Sequence, residues 1–235
     1  MFDQNVIMLG GRLGADAEIK PLSGGGRVAT INLAVDRNVK GPSGKWRTET
    51  HWCRVCTYVP HFIAALEAEG KKGRPVLVQG ALRARSWEQN GEKRHMLEVE
   101  VDGNGGIAML AEPMTVNSVR LVGRLGGHAD IKTLPGNDGS KVATMNVAVG
   151  RGYKDANGEW PVDWIRLVTF QPSLIDKTLA KRAIKGRLVL IDGGYRCREW
   201  TDPETGEVKT FYEVEVETST GIVPVLEQRK EKADA

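Results

Sequence analysis

Aromatic and arginine side chains alternate along two stretches of this chain, and each stretch occurs twice. Members of a stretch are separated by even numbers of residues, so a β-strand would present them on one face. They are Trp52, Arg54 and Tyr58 with Trp164, Arg166 and Phe170, and Arg83, Arg85 and Trp87 with Arg196, Arg198 and Trp200. Aromatic rings stack on planar groups and guanidinium groups bind anionic oxygens. The pattern therefore predicts non-covalent binding of a ligand with flat rings and negative charge.

The tryptophans also show that the chain is a tandem duplication. All six fall into matched pairs, separated by 114, 112 and 113 residues: Trp46 with Trp160, Trp52 with Trp164, and Trp87 with Trp200. Residues 5–13 (NVIMLGGRL) match residues 117–125 (NSVRLVGRL), and residues 28–35 match residues 142–149. A repeat of this length is one domain, so we predict domains at 1–111 and 116–227 and a short charged tail at 228–235.

The elements that position these residues are mostly strands. Short runs of alternating apolar and polar residues, bounded by Gly, Pro, Asn and Asp, predict strands in both repeats. One segment per repeat, at 60–71 and 172–185, has helical spacing, and Gly73 and Gly186 are predicted as its C-terminal caps. Three strands, a helix and two strands predict an all-β chain of two OB folds, which are five-stranded Greek-key barrels, although other small barrels fit the pattern.

The arginines indicate which face of the strands is exposed. Burying unpaired guanidinium groups beside an indole costs several kcal/mol, so the faces that carry Arg with Trp are predicted to point outward. Such a face suits an unstructured nucleic acid, because bases of any identity stack on the rings and phosphates meet the arginines. The alternative is that the tryptophans are partly buried rim residues covered by arginine stems.

Further matched residues extend this prediction. Trp46 and Trp160 lie beside a predicted hairpin loop, and the even change in spacing keeps them on the face of Trp52 and Trp164. The remaining matched arginines would lengthen the electrostatic track: Arg12 with Arg124, and Arg37 with Arg151.

Composition excludes several classes of protein. The net charge is +3 and nearly balanced in both repeats, so bulk charge identifies no partner. The N-terminus lacks the pattern of a secretory signal, and no stretch reaches 18 apolar residues, so we expect an intracellular, cytoplasmic protein without membrane contact. Three cysteines do not form a repeated disulfide framework, and reduced thiols are expected.

No catalytic or metal site is predicted. The nearest candidate is the C-x-x-C of Cys53 and Cys56, but a strand would point these thiols to opposite faces. Ile165 and Val168 occupy the matched positions, and no second ligand pair has zinc spacing. The glycine runs at 24–26 and 103–106 lack the residues of a phosphate-binding loop. We therefore expect neither enzyme activity nor a cofactor.

The motifs resemble those of the bacterial single-stranded-DNA-binding proteins over nearly the whole of both repeats. The resemblance rests on residues 5–13, 28–35, 50–55 (THWCRV) and 80–87 (GALRARSW), and on their copies that begin at Asn117, Val142, Trp164 and Gly193. The resemblance implies an OB fold in each repeat and sequence-tolerant binding of single-stranded DNA during replication, recombination or repair. It also implies stacking on Trp52, Tyr58 and Trp87 and on Trp164, Phe170 and Trp200.

The family usually works with four OB domains, so the resemblance implies a homodimer of this two-domain chain. A further family stacking position is Val39 in the first repeat but Tyr153 in the second, so the first repeat is expected to hold DNA less well there. The acidic tip ending in Pro-Phe is absent from this sequence, which leaves protein partners unidentified. A structural OB protein that has lost nucleic-acid binding and an RNA binder remain the alternatives.

Overall fold

The structure is a computed structural model that describes residues 4–40, 45–89, 91–135, 139–201 and 206–225. The charged tail predicted at 228–235 lies outside these residues. Strands dominate both repeats, so the predicted all-β class is confirmed. No helix in the described part is long and apolar enough to cross a membrane.

The two repeats contain the same order of elements. In the first repeat, helix α1 (Pro60–Glu69) separates the fourth and fifth of seven strands, which are β1 (Gln4–Leu13), β2 (Glu18–Pro21), β3 (Arg27–Lys40), β4 (Trp46–Thr57), β5 (Pro75–Gln89), β6 (Glu92–Val101) and β7 (Gly106–Met109). The strands of the second repeat are β8 (Val116–Leu125), β9 (Asp130–Thr133), β10 (Lys141–Gly150), β11 (Val162–Thr169), β12 (Leu188–Thr201), β13 (Val208–Glu215) and β14 (Ile222–Pro224).

Five strands of the first repeat close into a barrel. Strand β1 pairs with both β3 and β5, β3 pairs with β4, and β5 pairs with β6. The parallel pairing of β4 with β6 completes the ring, which is the Greek-key barrel of an OB fold. The short strand β2 pairs with β3, and the short strand β7 pairs with β5. The five predicted strands therefore form the barrel, and two short strands extend it.

The corner of this barrel lies at Gly80. Strand β5 pairs with β1 up to Gly80 and with β6 from Ala81 onward. A Cβ atom on Gly80 would lie 2.4 Å from the Glu100 carbonyl oxygen, so only glycine allows the backbones to approach this closely. Gly193 repeats the feature in β12, where a Cβ atom would lie 2.5 Å from the Glu215 carbonyl oxygen.

The alternate side chains of the barrel strands form the core. In the first repeat Ile7, Leu9, Leu33, Val78 and Val99 are fully buried. Their neighbours along each strand point away from the core, because successive side chains of a strand alternate between faces. The second repeat buries the matched set of Val119, Leu121, Val147, Ile191 and Val214.

The helices end earlier than the sequence predicts. Helix α1 ends at Glu69 and is capped by Gly70, whereas Gly73 lies in the turn that follows, with a φ of +83°. The second helical segment has one more residue between its matched Pro and Gly. It consists of α2 (Pro172–Leu174), a π-helical turn (Ile175–Leu179) and α3 (Ala180–Arg182), so the extra residue is taken up by the wider turn.

The structure divides into two compact units whose boundary does not follow the duplication. The larger unit contains residues 5–120 together with residues 193–215, which are the β12–β13 hairpin beyond the Gly193 corner. The smaller unit contains Gln4 and the described residues of 121–192 and from 216 onward. The hairpin of the second repeat is therefore packed with the first repeat.

The Asn5 side chain continues the β1–β5 pairing beyond its last register pair, Ile7 with Gly80. Asn5 Nδ2 donates to the Leu82 carbonyl at 2.8 Å, and Asn5 Oδ1 accepts from the Leu82 amide at 2.9 Å. We expect Asn5→Ala to lower the free energy of unfolding by about 1–3 kcal/mol, because both backbone groups lose their partner. Urea unfolding measures the effect, and Gln4→Ala, an exposed neighbour, is the control. Equal stability of Asn5→Ala and Gln4→Ala would contradict the prediction.

Candidate nucleic-acid interface

The indoles of β4 and β11 are exposed to the same extent in both repeats. Trp52 is 51% exposed and Trp164 is 53% exposed. The residues on either side of Trp52, His51 and Cys53, are buried, as are Asp163 and Ile165 beside Trp164. Strand alternation thus turns each tryptophan outward while its neighbours hold the strand on the core.

The remaining predicted stacking residues are exposed as well. Trp87 and Trp200 are 43% and 41% exposed, and Tyr58 and Phe170 are also exposed. On the hairpins, Trp87 pairs across the strands with Arg94, and Trp200 pairs with Lys209. Each hairpin indole therefore has a cation at the facing position, which is favourable for an anionic ligand that also stacks.

A buried carboxylate holds two of the predicted arginines in the first repeat. Glu98 on β6 is 2% exposed and accepts hydrogen bonds from Arg85 and, at 3.2 Å, from Arg54 Nε. Arg85 Nη2 also donates to the Tyr58 hydroxyl at 3.5 Å, and Arg54 Nη2 donates to Thr30 Oγ1 at 3.3 Å. Because two guanidinium groups share one carboxylate, the cluster keeps a positive charge, and both arginines retain N–H groups for a ligand.

The second hairpin carries a similar arrangement. Arg198 Nε donates to Glu213, which is fully buried, at 2.9 Å. The Arg198 guanidinium carbon also lies 4.7 Å from the centre of the Phe211 ring. Arg166, on β11, is half-buried. Arg198 is thus held by the Glu213 carboxylate and lies over the face of the Phe211 ring.

The arginine nearest the barrel corner is buried rather than outward. Arg83 is 8% exposed, and its Nε lies 3.4 Å from Glu100 Oε1. Its copy, Arg196, lies 3.3 Å from Glu215 and is half-buried. The prediction that Arg83 points outward assumed an unpaired guanidinium, whose burial is costly. Because Glu100 pairs with Arg83, that cost is removed and the side chain can be buried.

The outlying arginines have other partners. Arg12 and Arg124 are exposed but donate to the carbonyls of Gly73 and Gly186, at 3.0 Å and 2.9 Å, in the turn after each helix. Arg37 pairs with Glu215 at 2.7 Å, and its side chain is 14% exposed. Arg151 makes two hydrogen bonds, of 2.8 Å and 3.0 Å, to the buried Asp163, whose hydrogen bonds and charge raise the pKa of Arg151. Arg37 and Arg151 are therefore engaged by carboxylates.

Trp46 at the start of β4 and Trp160 just before β11 are the most exposed aromatic residues in the described part of the chain. Trp46 is 70% exposed and Trp160 is 64% exposed, and Lys154 Nζ lies 5.8 Å from the Trp160 ring. Tyr153 is exposed, whereas Val39, at the matched position of the first repeat, is half-buried. Of these two positions, only that of the second repeat presents an aromatic ring.

Two glycines that the sequence motifs did not single out lie directly under the exposed indoles of Trp52 and Trp164. A Cβ atom on Gly14 would lie 2.4 Å from Trp52 Cζ3, and one on Gly126 would lie 2.5 Å from Trp164 Cζ3. Both indoles therefore rest on bare backbone at the end of the first strand of their repeat. The repeat itself could have identified them, because Gly14 and Gly126 each follow the matched Arg-Leu of their repeat. The same comparison pairs the buried carboxylates Glu98 and Glu213.

The cysteines have the properties of structural thiols. Cys53 and Cys56 are both buried, and Cys197 is half-buried. Burial raises the pKa of Cys56 to about 12 and that of Cys197 to about 11, so these thiols stay protonated near neutral pH. No group of three or more His, Cys, Asp or Glu residues within the described ranges could hold a metal ion.

We expect Gly14→Ala to displace the Trp52 indole, because the added methyl group would occupy the position of the ring. In protein labelled with 5-fluorotryptophan, the ¹⁹F resonance of Trp52 should shift in Gly14→Ala, and that of Trp164 should shift in Gly126→Ala. Gly24→Ala is the control, since a Cβ atom there meets nothing within 4 Å. A Trp52 resonance unchanged in Gly14→Ala would contradict the placement of the ring.

Comparison with known proteins agrees with this geometry. The profile of the Single-strand binding protein family matches residues 4–107 and 116–221. The wild-type single-stranded DNA binding protein from Thermus aquaticus superposes with a TM-score of 0.71 at 22% identity, covering 96% of this chain and 95% of that chain. A deletion mutant of the same protein gives 0.70 at 22% identity, with 98% of both chains covered.

A Plasmodium falciparum SSB in complex with ssDNA has 33% identity over 46% of this chain and 95% of that chain, with a TM-score of 0.43. The Thermus aquaticus structures confirm the predicted fold, two tandem OB folds in one chain. The family matches cover most of both repeats. This chain therefore belongs to the single-strand binding protein family and binds single-stranded DNA.

Proposed function

We propose that each repeat binds single-stranded DNA without sequence preference, by stacking bases on its exposed rings while arginines contact the phosphates. One observation carries the proposal: the outward indoles of β4 and β11 have nearly equal exposure and rest on matched glycines. Two diverged copies that keep the same ring in the same setting indicate a shared ligand. Protection of exposed strands during replication, recombination or repair is the role that this mode of binding serves.

The binding domains that we propose are residues 1–111 and 116–227, and the two family matches fall within them. In the first repeat the stacking rings are Trp52, Tyr58 and Trp87, with Arg54 and Arg85 as phosphate contacts. In the second repeat the rings are Trp164, Phe170 and Trp200, joined by Tyr153, with Arg166 and Arg198. Stacking on each ring contributes about 1–3 kcal/mol per base. No step of bond making or breaking is required of any residue, so the proposed activity is binding alone.

Titration with a homopolymeric dT strand tests this proposal. We expect tryptophan fluorescence to be quenched as bases stack, and the affinity to fall as salt rises because phosphate contacts release counterions. Trp52→Ala and Trp164→Ala should each weaken binding by about 1–3 kcal/mol. Leu22→Ala is the control, since Leu22 is an exposed apolar residue outside the proposed surface.

Three results would count against the proposal. Unchanged affinity in both tryptophan variants would contradict the site, and equal competition by duplex DNA would contradict the preference for single strands. Stronger competition by polyuridine than by dT would indicate that RNA is the preferred ligand, because every base presents a ring face for stacking.

We further propose that the chain forms a homodimer with four OB domains. Leu190 and Val223 face each other in the pairing of β12 with β14, and both are exposed, which leaves an apolar patch on the second repeat. Sedimentation equilibrium should give twice the mass of the chain at micromolar concentration. A mass equal to one chain over the same range would refute the dimer.

A further inference from the structure

The edge of β4 that carries Trp52 extends beyond its neighbour in the barrel. Strand β6 pairs with β4 only from Arg54 to Thr57. Strand β3 continues along the other edge of β4, where Ala34 is the partner of Trp52. In the described register, the edge of β4 before Arg54 is therefore not covered by β6, and the backbone groups of Trp52 lie in this part.

Side chains of the β12–β13 hairpin meet this edge. Tyr195 Oη donates to the Trp52 carbonyl at 3.0 Å, and the Trp52 amide donates to the Cys197 sulfur. His51 Nδ1 lies 2.9 Å from the Cys197 carbonyl oxygen. Because a carbonyl only accepts, Nδ1 carries the proton. The hairpin thus occupies the place along β4 that β6 leaves open.

Burial and an ion pair stabilise the contact between the β12–β13 hairpin and the first repeat. Tyr195 is fully buried and His51 is 3% exposed, so water does not compete for these hydrogen bonds. Glu215, at the end of the hairpin, is shared by Arg37 of β3 at 2.7 Å and by Arg196 at 3.3 Å. The Arg37–Glu215 ion pair anchors the same hairpin to strand β3 of the first repeat.

The matched residues of the first repeat's own hairpin could not make the two side-chain contacts to the Trp52 backbone. Leu82 stands at the position of Tyr195, and Ala84 stands at the position of Cys197. Neither side chain has a polar atom. The groups that bind the Trp52 backbone therefore belong to the second copy alone, although the barrel cores of the two repeats are otherwise closely matched.

We propose that Tyr195 is a positioning residue for DNA binding by the first repeat, because its hydroxyl holds the β4 backbone that places the Trp52 indole over Gly14. This inference rests on the proposed stacking role of Trp52. The backbone orientation at Trp52 sets the direction of its side chain, so losing the hydroxyl loosens the ring without removing any group that touches DNA. The second repeat thereby supports binding in the first.

The test uses the full chain carrying Trp164→Ala, so that binding of a short labelled dT strand reports mainly on the first repeat. In fluorescence polarisation, Tyr195→Phe should weaken binding by about threefold to tenfold, the range expected for one net hydrogen bond. Tyr212→Phe is the matched control, because Tyr212 is half-buried on the same hairpin and its hydroxyl makes no hydrogen bond within the described residues. In 5-fluorotryptophan protein, Tyr195→Phe should also shift the Trp52 resonance.

Adding Trp52→Ala separates positioning from general destabilisation. If Tyr195 acts through Trp52, Tyr195→Phe should have no further effect in the variant that lacks the indole. The inference is overturned if Tyr195→Phe binds as tightly as its parent, or if it weakens binding equally with and without Trp52. If Trp52→Ala itself leaves affinity unchanged, the stacking proposal fails and this inference fails with it. Should Tyr195→Phe not fold, Tyr195→Leu, which copies the first repeat, is measured by the same criteria.

Discussion

Closure of the barrel is the constraint on which the rest of this structure depends. Strand β5 must leave β1 and join β6 within one residue, and the backbones at this corner approach so closely that a Cβ atom has no room at Gly80. Beyond the corner β5 and β6 form a hairpin whose first residues, Leu82 and Val99 among them, still line the core. Arg85 and Trp87 lie further along this hairpin and are exposed. At Gly193 the same constraint releases the hairpin that packs with the first repeat.

The electrostatics of the surface follow from buried carboxylates rather than from net charge. Glu98 and Glu213 are almost fully buried, and each is compensated by arginine. Such pairs contribute little to stability because desolvation opposes the attraction, but removing one partner would leave a buried charge. Their consequence for the surface is geometric, since a guanidinium held by a carboxylate presents its remaining N–H donors in a fixed direction.

The two copies have kept their exposed rings while their supporting residues have diverged. Asp163 holds Arg151 in the second repeat, whereas His51 occupies that position in the first and binds the Cys197 carbonyl. Arg37, which matches Arg151, has no carboxylate at the His51 position and pairs instead with Glu215 of the second hairpin. The exposed rings are thus under a common constraint, while the residues behind them differ between the repeats.

The sequence by itself determined the duplication, the strand pattern and the outward direction of Trp52 and Trp164, because tandem matching and a period of two residues are local properties. It also indicated the OB fold through the order of elements. Only the tertiary structure decided that Arg83 is buried, since its partner Glu100 lies on another strand. Tertiary structure likewise placed Gly14 under an indole and brought Tyr195 to the Trp52 carbonyl, across 143 positions of sequence. Contacts between distant segments depend on how the strands close, and no local pattern encodes that closure.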